Sequence, residues 1–420
     1  MTKMTAGDTN KKCCEISRLS REINVAAKKY EPDMVKFIRE MIAIPSESCQ
    51  EKAVILRIKK EMTRTGFDKV TIDKMGNIIG SIGSGKIKIA MDAHIDTVGI
   101  GSRKEWKWDP YKGKMEKGIV YGRGASDQEA AMASMVYAGK IIKDLKLDRN
   151  YTLYVVGSVQ EEDCDGLCWQ YIYNEDKLRP DCVVITEPTN LNIYRGHRGR
   201  MEIGITTFGV SCHGSAPERG KNAVYMMAKI AGEIEKLNNR LAKDSFLGKG
   251  TVTVSYIDCK TPSLCAVPNQ SYVHLDRRLT KGETKELAVK QVREAVLKTG
   301  LKPSEFKVEV LKYDTPSYTG LKYPVEKYYP TWVLEEKHPL CKAAAETFVN
   351  LFAKKPFVDK WTFSTNGIAT MGMFGIPTIG FGPANEKFAH SVNDQVPVEH
   401  LVKAAAWYAL FPLVFCKTKK

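Results

Sequence analysis

The chain has 420 residues, 43% of them apolar and 27% charged, which suits a globular protein and exceeds what one ordinary core holds, so two domains are expected. The formal charge is +15, with 64 Lys and Arg against 49 Asp and Glu. The basic residues are spread along the chain except at Lys417-Thr418-Lys419-Lys420, and no zinc finger or basic zipper accompanies them, so nucleic acid is not an expected partner.

No apolar run reads as a bilayer span, and Met1-Thr2-Lys3-Met4-Thr5 lacks the apolar centre of a signal peptide. The 11 Cys are scattered, odd in number and without a CxxC pair, which fits a reducing compartment. A cytoplasmic enzyme with no membrane partner is expected. Cys164 and Cys168 read as bystanders.

Residues 1–30 form a polar leader, expected to be mobile, that carries Cys13-Cys14. Met34, Phe37, Ile38, Met41 and Ile42 recur at helical spacing before Pro45, and a second amphipathic run covers Ala53 to Met62. Strands are expected at Lys69-Asp73, Asn77-Ile82 and Lys86-Met91. The last of these leads into Asp92-Ala93-His94-Ile95-Asp96. Alternation puts His94 and Asp96 on one side of the chain, as a metal ligand with its orienting partner or as a His hydrogen-bonded at a sheet end. Glu105 to Tyr121, with Trp106, Trp108 and Pro110, reads as an ordered loop able to wall a pocket.

Gly122-Arg123-Gly124-Ala125-Ser126-Asp127 opens a helix with Met132, Met135, Val136, Gly139 and Ile142 on one face. Its glycines suggest a tight turn with close backbone approach. A phosphate cradle is the weaker alternative, because the spacing matches neither dinucleotide nor Walker patterns. Tyr151 to Val159 is a continuous apolar strand ending in Gln160-Glu161-Glu162-Asp163, with Asp165 close behind. Cys182 to Thr186 is another, ending in Glu187. Clustered carboxylates repel unless a cation is present. Sites in open α/β sheets form outside the carboxyl ends of the strands.

From about Arg200 to Tyr313 the order β-α-β-β-α-β predicts a ferredoxin-like insertion. The expected division is a leader over 1–30, a catalytic domain over 31–199 and 314–420, and a lid over 200–313 that mediates dimerisation. The fold class is α/β, a mixed-sheet catalytic domain with an inserted ferredoxin-like lid.

His94-Ile95-Asp96-Thr97-Val98, Gly122 to Asp127, Glu161-Glu162, Thr186-Glu187-Pro188-Thr189, His213-Gly214-Ser215-Ala216-Pro217 and Ala389-His390-Ser391 occur in one order. In that order the chain resembles the di-zinc family of acetylornithine deacetylase, succinyl-diaminopimelate desuccinylase and glutamate carboxypeptidase. It is similar above all to that family's selenium-metabolism hydrolase branch. The resemblance covers about Glu31 to Phe415. It implies that His94 and Glu187 hold one Zn²⁺, that Glu162 and His390 hold the other, and that Asp127 bridges them, with Co²⁺ or Mn²⁺ as substitutes. Neutral imidazole and carboxylates suit such ions, and a water they share becomes a nucleophile at neutral pH.

The resemblance further implies that Glu161 is the general base, that Asp96 fixes the tautomer of His94, and that His213 polarises the scissile carbonyl from a partner subunit's lid. Arg278, in Asp276-Arg277-Arg278, would pair with a substrate carboxylate. Ser364 to Gly367, with Asn366 where many relatives have Asp, would line the pocket and bind substrate. The Asp127-Gln128 peptide is expected to be cis. The sequence departs from the family after Asp127, where Gln128-Glu129-Ala130 replaces an acidic residue, Lys and Gly.

His274, His338 and His400 read as structural, and His197 is open between a structural residue and one near the hinge that lines the site. The expected activity is metal-dependent hydrolysis of an amide bond in a small molecule, such as a dipeptide or N-acyl amino acid. Alternatives are an amidohydrolase acting on a ureido acid of purine breakdown and a silent metal-binding scaffold. A homodimer through the lid is expected.

Overall fold

The computed structural model describes residues 6–148 and 150–419, with side chains from Ile16 onward. Helix α1 spans Ala6–Lys29, α2 Glu31–Ile42 and α3 Lys52–Thr65. Strands β1 (Lys69–Ile72), β2 (Ile78–Ile82) and β3 (Ile87–His94) follow, then α4 (Glu129–Asp144), β4 (Tyr151–Ser158), α5 (Leu167–Asn174), β5 (Cys182–Ile185) and β6 (Ile193–Tyr194). The inserted unit runs β7 (Gly199–Phe208), α6 (Ala223–Asn239), β8 (Thr251–Lys260), β9 (Gln270–Leu279), α7 (Lys285–Leu297) and β10 (Phe306–Val310). The chain closes with α8 (Pro339–Phe352), β11 (Val358–Asp359), β12 (Thr378–Gly380) and α9 (Val398–Thr418).

The main sheet has eight strands in the order β1-β2-β4-β3-β5-β12-β6-β11. Its centre, β4-β3-β5-β12, is parallel, while β2 joins it antiparallel. The central strands are apolar over most of their length because neither face meets water there. Ile89 to His94 and all of β5 are buried. The insertion is an antiparallel sheet, β8-β9-β7-β10, in the predicted ferredoxin-like arrangement. It has its own apolar core around Met201, Ile230, Leu275 and Val292.

Two expectations change here. The leader is helical from Ala6 and docks: Ile23 and Ala27 are fully buried, and α1 packs on α8 and α9. The side chains of Cys13 and Cys14 lie outside the described residues. Helix α9 is long and apolar enough by composition to cross a membrane, although no such run was expected from the sequence. In this fold 72% of that window is buried. Trp407 stacks between Phe381 and Phe411, at centroid distances of 4.2 and 4.6 Å. A helix apolar all round is what the centre of a large core requires.

Truncating Ile23 to Ala should cost about 2–5 kcal/mol, as for other buried aliphatic side chains. Urea denaturation of the full-length protein measures it. An unchanged midpoint would mean that α1 does not dock in solution.

Candidate active site

Parallel strands place their carboxyl ends side by side, and here each delivers a polar group. In register, His94 at the end of β3 stands opposite Ser158 at the end of β4. Past β4 the chain turns through Gln160, whose φ of +57° is left-handed, and presents Glu161 and Glu162. Past β5 it presents Glu187. Asp127 lies just before α4, and His390, with φ +56°, follows β12. The Asp127-Gln128 peptide is cis.

These side chains converge. His94 Nδ1 donates to the carbonyl oxygen of Asp96 at 2.9 Å, so its Nε2 faces inward. Nε2 lies 2.9 Å from Asp127 Oδ1, 3.4 Å from Glu187 Oε1 and 4.0 Å from Glu161 Oε2. His390 Nε2 lies 3.3 Å from Asp127 Oδ2 and 2.9 Å from Glu162 Oε2. The two oxygens of Asp127 therefore face two different histidines. Ligand atoms of His94, Glu161 and Glu187, and again of His94, Asp127 and Glu162, lie within 4.8 Å of one another. They floor a cavity of about 350 Å³ that Asp165, Arg200, Arg278, Phe363, Ser364 and Glu386 also line.

The electrostatics call for a cation. Burial, then the Asp127 charge, pushes Glu162 up to about 7. Burial also pushes Glu161 and Glu187 well above the usual carboxylate range. Burial works the same way on Asp127, but hydrogen bonds from His390 and His94 outweigh it and hold that carboxyl below the usual range. Hydrogen bonds to Asp127 and Glu162 raise His390 to about 10. Glu161 Oε1 and Glu187 Oε2 are buried with no partner. Burial opposes charge on His94, but the Glu187 and Glu161 charges outweigh it and raise the imidazole well above its usual range. With Nδ1–H spent on a carbonyl, a proton on Nε2 then takes the place among the carboxylate oxygens that a metal ion would occupy. The donor set of imidazole nitrogens and carboxylate oxygens fits divalent ions of the zinc type.

The family model for peptidase family M20/M25/M40 matches residues 90–413. The chain belongs to this family. It is therefore a metal-dependent hydrolase of peptide or amide bonds. The uncharacterized protein YgeY of Escherichia coli (strain K12) is 56% identical over 393 residues, covering 94% of this chain and 97% of that one. Aminopeptidase PepT of Bacillus cereus shares the fold with a TM-score of 0.71 at 19% identity, covering 92% and 99% of the two chains. The YXEP protein of Bacillus subtilis, a dinuclear metal binding peptidase of the M20 family, gives 0.69 at 13% identity over 93% and 99%.

Other expected site residues of this M20 chain fall in different places. The Asp96 carboxylate lies 3.5 Å from His94 Nδ1, and its carbonyl makes the closer contact. The carboxylate instead accepts from Glu161 N, Glu162 N and Ser48 Oγ, at 3.2, 3.0 and 2.7 Å. Asn366 does not reach the cavity. Its Nδ2 donates to Asp92 Oδ2 and Ser158 Oγ, and its Oδ1 accepts from Gly166 N and the Cys168 thiol. That uses the amide's bonding capacity, so Asn366 ties strand ends together while Ser364 lines the cavity.

Arg278 lines the cavity while paired with Asp276 through Nε and Nη2, at 2.8 and 2.9 Å. His213 is exposed in the lid, hydrogen-bonded to Ser215 Oγ at 2.7 Å, and is not among the residues lining the cavity. Residues 105–121 do not line it either: Lys114–Glu116 and Ile119–Tyr121 form a hairpin whose second strand pairs with Gln395–Pro397.

Sequence reasoning missed Asp394. It accepts from Gly124 N, Ser126 N, Ser126 Oγ and Arg123 Nη1, at 2.6 to 3.1 Å. The backbone donors considered for a phosphate are thus filled by an internal carboxylate. No local motif marks Asp394.

His197 is a core residue rather than a lining one. Its Nδ1 donates to Arg198 O, and its Nε2 accepts from Trp332 Nε1 at 2.7 Å and Thr365 N at 3.0 Å. Burial pushes it down to about 4. The unfolded chain binds this proton from about pH 6.5 and the folded chain only near pH 4. Stability present above the unfolded value is therefore lost as pH falls between the two. His197→Gln should remove that part of the acid slope, of the order of 3 kcal/mol at about 1.4 kcal/mol per pKa unit. Urea unfolding of both proteins at about pH 7.5 and about pH 4.5 reads the difference.

Proposed function

We propose that this M20 hydrolase cleaves the amide bond of a small molecule bearing a carboxylate, such as a dipeptide or an N-acyl amino acid, with two zinc ions per subunit. The observation that carries the reading is Asp127, whose two oxygens face His94 with Glu187 on one side and His390 with Glu162 on the other. His94 and Glu187 would hold one ion, His390 and Glu162 the second, and Asp127 both. Such ions, when bound, lower the pKa of a water and polarise a carbonyl. A cavity of about 350 Å³ suits a ligand of dipeptide size.

Glu161 acts as general base. It is 4% exposed, with Oε1 unpartnered, and burial raises its affinity for a proton. It takes the proton of the attacking water as oxygen bonds to the carbonyl carbon. It then gives that proton to the nitrogen as the C–N bond breaks. Asp96 holds both glutamate N–H groups and so sets where Glu161 points. Arg278, with Nη1 outside its pair with Asp276, receives the substrate carboxylate.

His213 is exposed in its own subunit, which supports service to a partner's site. The edge strand β8 carries Tyr256 and Ile257, each 56% exposed, a surface suited to pairing across a two-fold axis. The unit is then a homodimer through the lid.

Turnover of a panel of dipeptides and N-acetyl amino acids by zinc-, cobalt- and manganese-loaded protein tests the substrate class; a panel with no substrate would sink it. Glu161→Gln should keep its metal and lose about 10²–10⁴-fold in turnover. Near-normal rates with full metal would rule out Glu161 as the base. His213→Ala and Glu161→Gln should each be nearly inactive alone. Mixed and re-equilibrated, they should recover about a quarter of wild-type activity if subunits exchange at random. No recovery despite proven exchange would place His213 outside the partner's site.

A further inference from the structure

The turn that carries Glu161 and Glu162 is held by the lid's two crossing strands as well as by its own domain. The chain leaves the lid after β10 and returns through Lys312–Tyr313. Tyr313 belongs to the large core, not to the lid core. Its hydroxyl donates to Asp163 Oδ2 at 3.0 Å and accepts from Gln160 Nε2 at 2.9 Å. On the entering strand, Arg200 at the start of β7 stands 3.8 Å from Asp165.

Gln160 is the link. It is fully buried, and its backbone N–H donates to Glu51 Oε1 at 3.0 Å. Its Oε1 has no partner. Met or Leu would fill similar space without leaving a buried acceptor unpaired, so packing alone does not account for an amide here. With φ at +57°, small changes at this residue rotate the next one, Glu161.

We propose that Gln160 is a positioning residue that transmits the placement of the lid's return strand, through Tyr313, to Glu161. The inference rests on Glu161 being the base. When the return strand sits so that Tyr313 bridges Gln160 and Asp163, the glutamate turn is fixed from above as Asp96 fixes it from below. When the strand shifts, Gln160 Nε2 loses the Tyr313 hydroxyl and, on the same segment, Thr315 O, keeping only Cys49 Sγ, and the turn loosens. Lid position and base alignment then change together, and the base is best aligned when the lid is in place.

The test uses full-length, zinc-loaded Gln160→Met, Tyr313→Phe and the double variant, with Glu161→Gln alongside. Amide hydrogen–deuterium exchange is followed in peptides covering 159–166 and 151–158. Values of kcat and KM are measured on the best substrate of the dipeptide and N-acetyl panel. Each single variant should speed exchange of the turn, and lower kcat, by about three- to tenfold. Strand β4, the metal content and, to within about twofold, KM should be unchanged. The double variant should fall short of the product of the two single effects, because each substitution removes the shared Gln160–Tyr313 contact, while Gln160→Met alone also loses Thr315 O and Tyr313→Phe alone also loses Asp163.

The inference is overturned if Tyr313→Phe leaves exchange of the turn unaltered, if the two effects multiply, or if the variants shed metal. Turnover by Glu161→Gln would sink the base reading instead. The exchange data alone then decide whether Tyr313 and the turn are coupled.

Discussion

Two consecutive backbone N–H groups, those of Glu161 and Glu162, end on a single buried carboxylate, Asp96, whose own carbonyl fixes the ring of His94. Bonds of this kind, with a charged acceptor, are stronger and more directional than neutral ones. The consequence is geometric. The imidazole at the end of one strand and the paired carboxylates at the end of the next are set relative to one residue. Any displacement of Asp96 therefore moves both halves of the centre.

The same device recurs nearby. Glu51 receives Gln160 N and Cys49 N, and Asp394 receives Gly124 N and Ser126 N. Turns that leave a β-strand expose donors with no ladder partner, and in water-poor surroundings something must accept from them. Here carboxylates do. This puts negative charge beneath the site as well as in it. Burial, then the Asp96 charge, lifts Glu51 to about 8, and burial lifts Asp394 to about 6. Asp394 thus keeps its charge near neutral pH, opposite Arg123 at 3.1 Å, and of these two only Glu51 holds a proton there.

What the sequence made legible follows from periodicity. An alternating run marked β3, continuous apolar runs marked β4 and β5, and the order of strands and helices marked the lid. Polar residues at the ends of buried runs marked His94, Glu162 and Glu187, because nothing structural explains a carboxylate there. Asn366 and Asp394 were misread or missed for one reason. Their partners lie more than two hundred residues away, Asn366 with Asp92 and Asp394 with Gly124, so no window of sequence contains the interaction. His197 was ambiguous because a buried acceptor imidazole and a pocket imidazole have the same neighbours in the chain. The leader looked polar because only one stripe of it is buried, around Ile23 and Ala27.

The catalytic domain is assembled from segments on both sides of the lid, and α9, largely buried in its core, belongs to the second of them. His390 and Asp394 come shortly before that helix. The lid, by contrast, is continuous from β7 to β10. During synthesis the lid can therefore complete its own core first, while the parallel sheet waits for β12 and α9. Until then the early carboxylates and His94 lack the groups that close the centre. A chain that has emerged only through the lid has no finished site with which to take up an ion or attack an amide, so the order of residues itself postpones the chemistry until the segments after the lid have folded.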